Sequence, residues 1–267
     1  MTRRRWIADR HTSGRAWLTG TNATHLALVL RAQPGQQFEV ATPDGVFLGT
    51  ITAVRVPSAI YGDQEGVISD AEIEFSLAES DLIAARDCAQ TTLLLAVFKF
   101  DRFEWALEKA IELGATDIVP VIARRTEKHL AAAAAKRVER WRRLALEAAQ
   151  QSRQPQTPTI HGPAPLHQAL AASSTGGLPA SGLQILLAET PGHPSLWSVL
   201  ATAALHQPLC LAIGPIGGWA DDEFQLFSKN GWAFASLGDF VLRVETATIA
   251  ALAIVNQARL VQPRPSQ

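Results

Sequence analysis

Three short segments near the C-terminal end of the chain each join a mostly apolar run to a polar or glycine-bearing turn. They are 187–190 (LAET), 213–218 (IGPIGG) and 236–238 (SLG) followed by 242–246 (LRVET). In an open α/β sheet, ligands bind in the crevice beyond the carboxyl ends of the strands. A pocket walled by three such loops is mostly backbone, which suits a flat neutral ring such as adenine. We therefore expect an adenosine-containing cofactor, with ordinary strand-to-helix turns as the alternative.

The loop 213–218 lacks the residues of the common phosphate-binding loops. A P-loop needs a lysine after its last glycine, and here Trp219 follows; the G-x-G-x-x-G dinucleotide pattern also fails. The acidic residues 221–223 suit the first turn of a helix and would repel a phosphate. The sequence holds no G-x-S-x-G elbow, and its seven histidines lack metal-ligand spacing, so we expect no metal.

The elements that must position these loops alternate between strands and helices after about residue 90. Apolar strands are predicted at 91–98, 117–122, 184–188, 209–213 and 233–237. Helices are predicted at 103–113, 136–152, 166–171 and 245–261. This alternation is typical of a parallel sheet covered on both faces by helices, and predicts an α/β fold.

The first ~75 residues follow a different pattern, with short strands separated by turn signals. Strands are predicted at 5–8, 15–18, 37–40, 46–56 and 71–77, and one helix at 24–31. We interpret this segment as a small β-barrel domain, residues 1–75, followed by the α/β domain, residues 76–267.

The charge pattern allows a nucleic-acid partner without requiring one. The net charge is −1, but residues 1–56 and 124–143 are locally basic. Such patches contact phosphates or are simply solvated faces.

The N-terminus lacks an apolar signal region, and no run approaches the ~20 apolar residues of a membrane span. We expect a cytoplasmic protein with no membrane partner, in which Cys88 and Cys210 are thiols.

The motifs also carry a resemblance. GPIGG (214–218) followed by SLGDFVLRVETA (236–247) resembles the signature of the RsmE family. These are S-adenosylmethionine-dependent methyltransferases of the knotted SPOUT superfamily that modify N3 of a uridine in small-subunit (16S) ribosomal RNA. Three further segments resemble the family in order along the chain: HLALVLRAQPG (25–35), FEWALEKAIELGATDIVPVIARRTEK (103–128) and RWRRLALEAAQQSRQ (140–154).

The resemblance implies a PUA-like N-terminal barrel and a catalytic sheet whose C-terminal segment forms a deep trefoil knot. It implies a homodimer with the cofactor pocket at the subunit interface, acting on small-subunit ribosomal RNA or the assembled subunit. By analogy, the residues expected to line the S-adenosyl-L-methionine pocket are Leu187, Glu189, Ile213, Gly214, Gly217, Gly218, Ser236, Leu237, Gly238, Leu242 and Thr246.

The chain departs from the family pattern at four positions. Ile216 replaces the usual glutamate of GPEGG; Asp239 and Phe240 replace a proline and a basic residue; Val244 replaces a threonine. Two hypotheses follow: an active uridine-N3 methyltransferase, or an RNA-binding relative with weakened catalysis. The glycines and the R-x-E-T core are retained, which favours the enzyme.

Catalysis at uracil N3 requires removal of a proton. Glu245 is the only motif carboxylate near the predicted pocket, so it is the candidate base by elimination; its alternative role is helix N-terminal charge. Arg243 would anchor a phosphate or stabilise the uracil anion, or else pair with Glu245. The residues expected to face RNA are His25, Arg31, Arg124, Arg125, Lys128, Gln151 and Arg153.

Overall fold

A computed structural model of the chain describes residues 5–56, 71–78, 82–83, 90–174 and 182–262. Cys88 lies outside these ranges. The chain divides into two units: Met1–Asp87 with Ala149–Thr157, and Cys88–Ala148 with Pro158–Gln267.

The first unit is built on a seven-stranded, mostly antiparallel sheet. Its strands are β1 (Trp6–Ile7), β2 (Arg10–Thr12), β3 (Arg15–Thr19), β4 (Gln37–Thr42), β5 (Gly45–Arg55), β6 (Glu72–Ser76) and β7 (Leu82–Ile83). They are ordered β1-β4-β5-β6-β3-β2, with β7 beside β5, and only the β1–β4 pair is parallel. Alternate side chains of β3 and β6, such as Leu18, Ile73 and Phe75, are buried in its core, as expected for a strand with one buried face.

The helix predicted at 24–31 is wrong in its limits and its geometry. The chain instead forms α1 (Gly20–Thr24), followed by a π-helical turn at His25–Val29. The N–H of Leu30 donates to the carbonyl of His25, five residues back, at 3.0 Å. Ala23 and Leu26 are buried, whereas residues 28–30, in and after the wider turn, are exposed.

The second unit contains a parallel sheet. Its strands are β8 (Thr91–Ala96), β9 (Asp117–Ile122), β10 (Thr159–Ile160), β11 (Ala164–Pro165), β12 (Leu183–Leu187), β13 (Leu209–Ile213) and β14 (Ala233–Ala235). Their order is β10-β9-β8-β13-β12-β14, with β11 beside β9, and every pair is parallel. This confirms the predicted parallel α/β sheet.

Helices surround this sheet in two groups. They are α2 (Phe100–Glu112), α3 (Lys128–Ala134), α4 (Val138–Gln151), α5 (Leu166–Ser174), α6 (Leu196–Ala201), α7 (Asp221–Lys229) and α8 (Val244–Val261). Helix α8 contacts α2, α6 and β13, whereas α5 contacts α7, β9 and β11. Cys210 and Ala212 of β13 pack in one cluster with residues of α5 and α7, and Leu209, Leu211 and Ile213 between them are also buried. The sheet is therefore covered on both faces.

The amphipathic helix predicted at 103–113 forms close to those limits, as α2. In α2 the buried residues Phe103, Ala106, Leu107, Ala110 and Ile111 recur at helical spacing. The helix is followed by Gly114 in a left-handed conformation, which is common at helix ends. By length and composition, α8 is the one helix among the described residues that could span a membrane; buried core helices share those properties, and α8 packs within the second unit.

Candidate functional site

Three loops leave one edge of the parallel sheet side by side. Strand β12 lies between β13 and β14, with Leu186 opposite Ala212 and Leu187 opposite Ala235. Adjacent strands lie about 4.8 Å apart, so the loops following β13 and β14 begin about 10 Å from each other. The segments 188–190, 214–218 and 236–238 therefore share an edge, as the sequence predicts.

The loop after β13 depends on its glycines. Gly217 and Gly218 both have left-handed backbone conformations, with φ values of 88° and 73°. The N–H of Gly218 donates to the carbonyl of Pro215 at 2.9 Å and closes the turn. A β-carbon on Gly218 would lie 3.3 Å from Oε2 of Glu189, and one on Gly214 would lie 3.1 Å from Nε1 of Trp219. Glycine at these two positions therefore lets Glu189 and Trp219 lie against the loop backbone, where a side chain would crowd them.

A cavity of about 100 Å³ opens beside this loop. Its residues come from four segments of the second unit, and they are Arg125, Leu187, Glu189, Thr190, Gly214, Gly217, Gly218, Trp219 and Phe224. Pockets for whole drug-sized ligands measure roughly 300–1,000 Å³. This cavity therefore accommodates one part of a cofactor-sized molecule.

Side chains from the turn after β9 hold the far side of the loop. Nη1 of Arg125 donates to the carbonyl of Gly217 and, at 3.2 Å, to the carbonyl of Trp219. The carboxylate of Glu223 accepts the N–H of Arg124 at 2.8 Å and the N–H of Ala220 at 2.8 Å. These bonds tie the loop and the start of α7 to the edge of β9. They also confirm that the acids 221–223 form the first turn of a helix.

Trp219 forms an aromatic wall of the cavity. Its side chain is only 3% exposed and packs edge-on against Phe227, with ring centroids 4.9 Å apart. Within the described ranges its indole N–H has no hydrogen-bond partner. An unsatisfied buried donor costs about 1–3 kcal/mol. The wall therefore contains a buried, unsatisfied donor packed against Gly214.

The third loop does not line the cavity. Oγ of Ser236 accepts the N–H of Gly238 at 3.1 Å and donates to the carbonyl of the same residue at 3.0 Å, which fixes the turn. Leu237 and Leu242 are half-buried, whereas Phe240 and Val241 are 88% and 80% exposed. Two large apolar side chains thus project into solvent beside the predicted pocket.

The two candidate catalytic residues begin α8. Arg243 is the exposed N-cap residue, and its carbonyl accepts the N–H of Ala247 at 2.8 Å. Glu245 is 9% exposed, and its Oε1 lies 3.4 Å from Nη1 of Arg102 on α2. The structure therefore pairs Glu245 with Arg102 rather than with Arg243. Neither Glu245, Arg243 nor the exposed Thr246 borders the cavity.

The candidate RNA-facing residues are divided between the units. In the second unit, Arg124 pairs with Asp222, Arg125 contacts the loop carbonyls, and Lys128 is exposed at the start of α3. In the first unit, the half-buried His25 has its ring 6.1 Å from that of Trp6, and Arg31 is exposed with a left-handed backbone.

Two further candidates lie at the end of α4 and just after it. Gln151 is exposed, and Nη2 of Arg153 lies 3.0 Å from Oε1 of Glu39, so the Arg153 guanidinium is already ion-paired within the first unit. The glutamate also accepts from Arg5 at 3.2 Å.

Three site residues were not found by sequence reasoning. Trp219 and Phe224 border the cavity, and Arg102 holds Glu245. The position of Trp219 directly after two glycines is a weak signal for an aromatic wall. Arg102 lies 143 positions from Glu245 in the sequence, so no local pattern indicates that the two side chains pair.

Comparison with known proteins agrees with this geometry. Residues 86–256 match the family model of the RNA methyltransferase domain. The ribosomal RNA small subunit methyltransferase E of Synechocystis is 34% identical over 239 residues, covering 90% of this chain and 72% of that protein.

Two solved structures share the fold. One, from Legionella pneumophila, is described with the bound cofactor SAM; it is 25% identical, has a TM-score of 0.74, and the match covers 97% of this chain and 98% of that one. The other is the ribosomal RNA small subunit methyltransferase E of Neisseria gonorrhoeae bound to S-adenosyl methionine, at 24% identity and a TM-score of 0.72, covering 96% and 97% of the two chains. The chain belongs to the RsmE family of ribosomal RNA methyltransferases.

Proposed function

We propose that the protein transfers a methyl group from S-adenosyl-L-methionine to N3 of a uridine in small-subunit (16S) ribosomal RNA. The observation that carries this proposal is the cavity walled by glycine backbone beyond the carboxyl ends of β12 and β13. Its place in the sheet is where open α/β folds bind ligands. Membership of the RsmE family supports the same reaction.

The residues present fit the cofactor. The space over Gly218 is space that a β-carbon would fill, and the buried N–H of Trp219 lacks an acceptor among the described residues. When bound, S-adenosylmethionine supplies an electrophilic methyl group. The residues proposed to hold it are Leu187, Glu189, Ile213, Gly214, Gly217, Gly218, Ser236, Leu237, Gly238, Leu242 and Thr246.

The protein's own residues must take a proton from N3 of uracil. They must also hold the uracil ring so that N3 lies in line with the methyl group. Glu245 is the proposed proton acceptor; a general base contributes about 10²–10⁴-fold to the rate. It lies in the first turn of α8, beside Arg102 and two residues after Arg243. Arg243, exposed at the N-terminus of the same helix, is proposed to contact a phosphate or the developing uracil anion. Correct orientation of the two reactants lowers the activation barrier by as much as roughly 7–11 kcal/mol.

RNA binding is assigned to residues of both units. The proposed contacts are His25, Arg31, Arg124, Arg125, Lys128, Gln151 and Arg153. Most would contact phosphates, and such contacts contribute affinity but little sequence specificity. The target uridine must be unpaired or flipped out to reach the pocket.

The proposed organisation follows the family. Residues 1–75 form a PUA-like RNA-binding barrel, and residues 76–267 form a SPOUT domain with a deep trefoil knot. The protein acts in the cytoplasm as a homodimer. The exposed side chains of Phe240 and Val241, just before α8, support a partner surface for a second copy.

The alternative is an RNA-binding relative with weakened catalysis, and the exposed Ile216 at the usual glutamate position favours it. The test is tritiated methyl transfer from S-adenosylmethionine to small ribosomal subunits from cells that lack this modification. Incorporation at a uridine supports the enzyme. Cofactor binding without transfer supports the alternative, and recovery of transfer in Ile216→Glu would assign the loss to that residue.

A further inference from the structure

The cavity carries two opposite charges on either side of one glycine. A β-carbon at Gly218 would lie 3.3 Å from Oε2 of Glu189 and 3.9 Å from Nη1 of Arg125. The two side chains nevertheless form no ion pair with each other, and Glu189 has no hydrogen-bond or ionic partner among the residues that the structure describes. A carboxylate and a guanidinium therefore border the same open space without neutralising each other.

Arg125 is fixed in this position from its own side. Oγ1 of the next residue, Thr126, accepts the N–H of Ala123 at 3.1 Å and donates to the carbonyl of Val97 at 3.3 Å, which makes the turn after β9 rigid. Nη1 of Arg125 is used by the loop carbonyls. A guanidinium has five N–H donors, so Nε and Nη2 remain able to bind an anion, and a carboxylate is the anion whose geometry they match.

Glu189, an exposed residue, follows a backbone bond between β12 and β14. The preceding residue, Ala188, extends the pairing of β12 with β14, and its N–H donates to the carbonyl of Ala235 at 2.9 Å. The carboxylate that follows is an acceptor-only group at neutral pH and is matched by an ammonium ion.

We propose that Glu189 and Arg125 bind the zwitterionic amino-acid end of the cofactor, with its ammonium group on Glu189 and its carboxylate on Arg125. The inference rests on the proposed use of S-adenosylmethionine. It follows from charge and size, because adenine and ribose are neutral, the sulfonium is only positive, and the amino-acid end alone carries both charges. A cavity of about 100 Å³ holds only part of the cofactor. It gives Arg125 a role in cofactor binding that differs from a phosphate contact.

The experiment compares two ligands by isothermal titration calorimetry. S-adenosylhomocysteine carries the amino-acid end, and 5′-methylthioadenosine lacks it. Wild-type protein is expected to bind the first at least tenfold more tightly. Glu189→Gln is expected to weaken binding of S-adenosylhomocysteine about tenfold or more and to change binding of methylthioadenosine by less than about twofold, because a hydrogen bond to a charged group contributes about 1.5–3 kcal/mol. Arg125→Gln also removes the bonds to the loop carbonyls, so it is expected to weaken both ligands, and S-adenosylhomocysteine about tenfold more than methylthioadenosine.

Matched controls separate this role from general charge effects. Asp222→Asn removes a nearby exposed carboxylate, and Arg140→Gln removes an exposed arginine that pairs with Glu104; both should bind the two ligands as wild type does. If wild-type protein binds neither ligand, the proposed function itself fails.

Other outcomes overturn the inference alone. Wild-type protein that binds both ligands equally would contradict it, as would variants that lose both ligands in equal proportion. Equal weakening of both ligands in Arg125→Gln, with selective loss in Glu189→Gln, would overturn the part assigned to Arg125.

Discussion

Nη1 of Arg102 lies 3.4 Å from Oε1 of Glu245, and this contact joins the first turn of α2 to the first turn of α8. The arginine side chain is partly exposed, whereas the glutamate side chain is nearly buried. A buried carboxylate needs such a partner, because an unpaired buried charge is strongly unfavourable. The pair thus fixes the helix start that carries both proposed catalytic residues.

Glu245→Gln tests the proposed base. The variant should lower kcat by about 10²–10⁴-fold, because the amide cannot accept the N3 proton, while S-adenosylhomocysteine affinity changes by less than about twofold. Steady-state kinetics with small subunits and calorimetry measure the two quantities. In the comparison variant Arg102→Gln, the unfolding free energy should fall by about 1–3 kcal/mol, with a smaller loss of kcat. A Glu245→Gln enzyme with unchanged kcat would leave Glu245 only its structural role.

Gly218→Ala tests the glycine wall. The new β-carbon would approach Oε2 of Glu189 to 3.3 Å, and the left-handed backbone costs an alanine about 1–2 kcal/mol. We expect lower stability together with at least tenfold weaker binding of S-adenosylhomocysteine. Gly231→Ala is the matched control, because Gly231 is also left-handed but has open space around its β-carbon position. Equal effects of both variants on ligand affinity would argue against the pocket.

Ile216→Glu tests whether the departure from the family motif matters for the cofactor. Ile216 is 54% exposed and does not border the cavity, and the cradle is made of backbone. The substitution should change the unfolding free energy by less than about 0.5 kcal/mol and leave S-adenosylhomocysteine affinity within about threefold. A change of more than tenfold in affinity would show that the residue at 216 touches the bound cofactor.

Asp117 predicts a pH dependence of stability. Burial opposes its ionised form, but hydrogen bonds from His161, Gln90 and Thr116 outweigh burial and lower the pKa of Asp117 below its usual range. Its contribution to stability is therefore complete above the unfolded-state pKa of about 3.9 and is lost as the pH falls through the lower folded-state pKa.

The corresponding variant is Asp117→Asn. It should be about 1–3 kcal/mol less stable than wild type at pH 7, and the difference should shrink below pH 4. Thermal unfolding between pH 2 and pH 7 measures this, with the exposed Asp239→Asn as control. A difference that stays constant across this range would disprove the assignment.

The apolar elements of the second unit could be predicted closely from the sequence. The strand predicted at 209–213 has those limits, and the strand and helix predicted at 184–188 and 245–261 are Leu183–Leu187 and Val244–Val261. The spacing of their apolar residues and the glycines at their ends are local signals. Each element, and the order of the three loops along the chain, could therefore be predicted from the sequence.

Other features depend on contacts that no local pattern records. The alanine run at 131–135 forms most of α3, because alanine favours a helix, but its uniform composition shows no buried face. The single helix predicted at 136–152 begins instead at Val138, after a 3₁₀ turn. The bonds of Arg125 to the loop and of Arg102 to Glu245 join residues more than 90 positions apart, which composition and spacing cannot pair.

The most direct test of the central claim is nucleoside mass spectrometry of ribosomal RNA after reaction with trideuteromethyl S-adenosylmethionine. The substrate is small subunits from cells that lack the modification. We predict one trideuterated 3-methyluridine per small-subunit RNA, lost in Glu245→Gln. Label on another nucleoside, or no label from a protein that binds the cofactor, would contradict the assignment of this chain as a uridine-N3 methyltransferase.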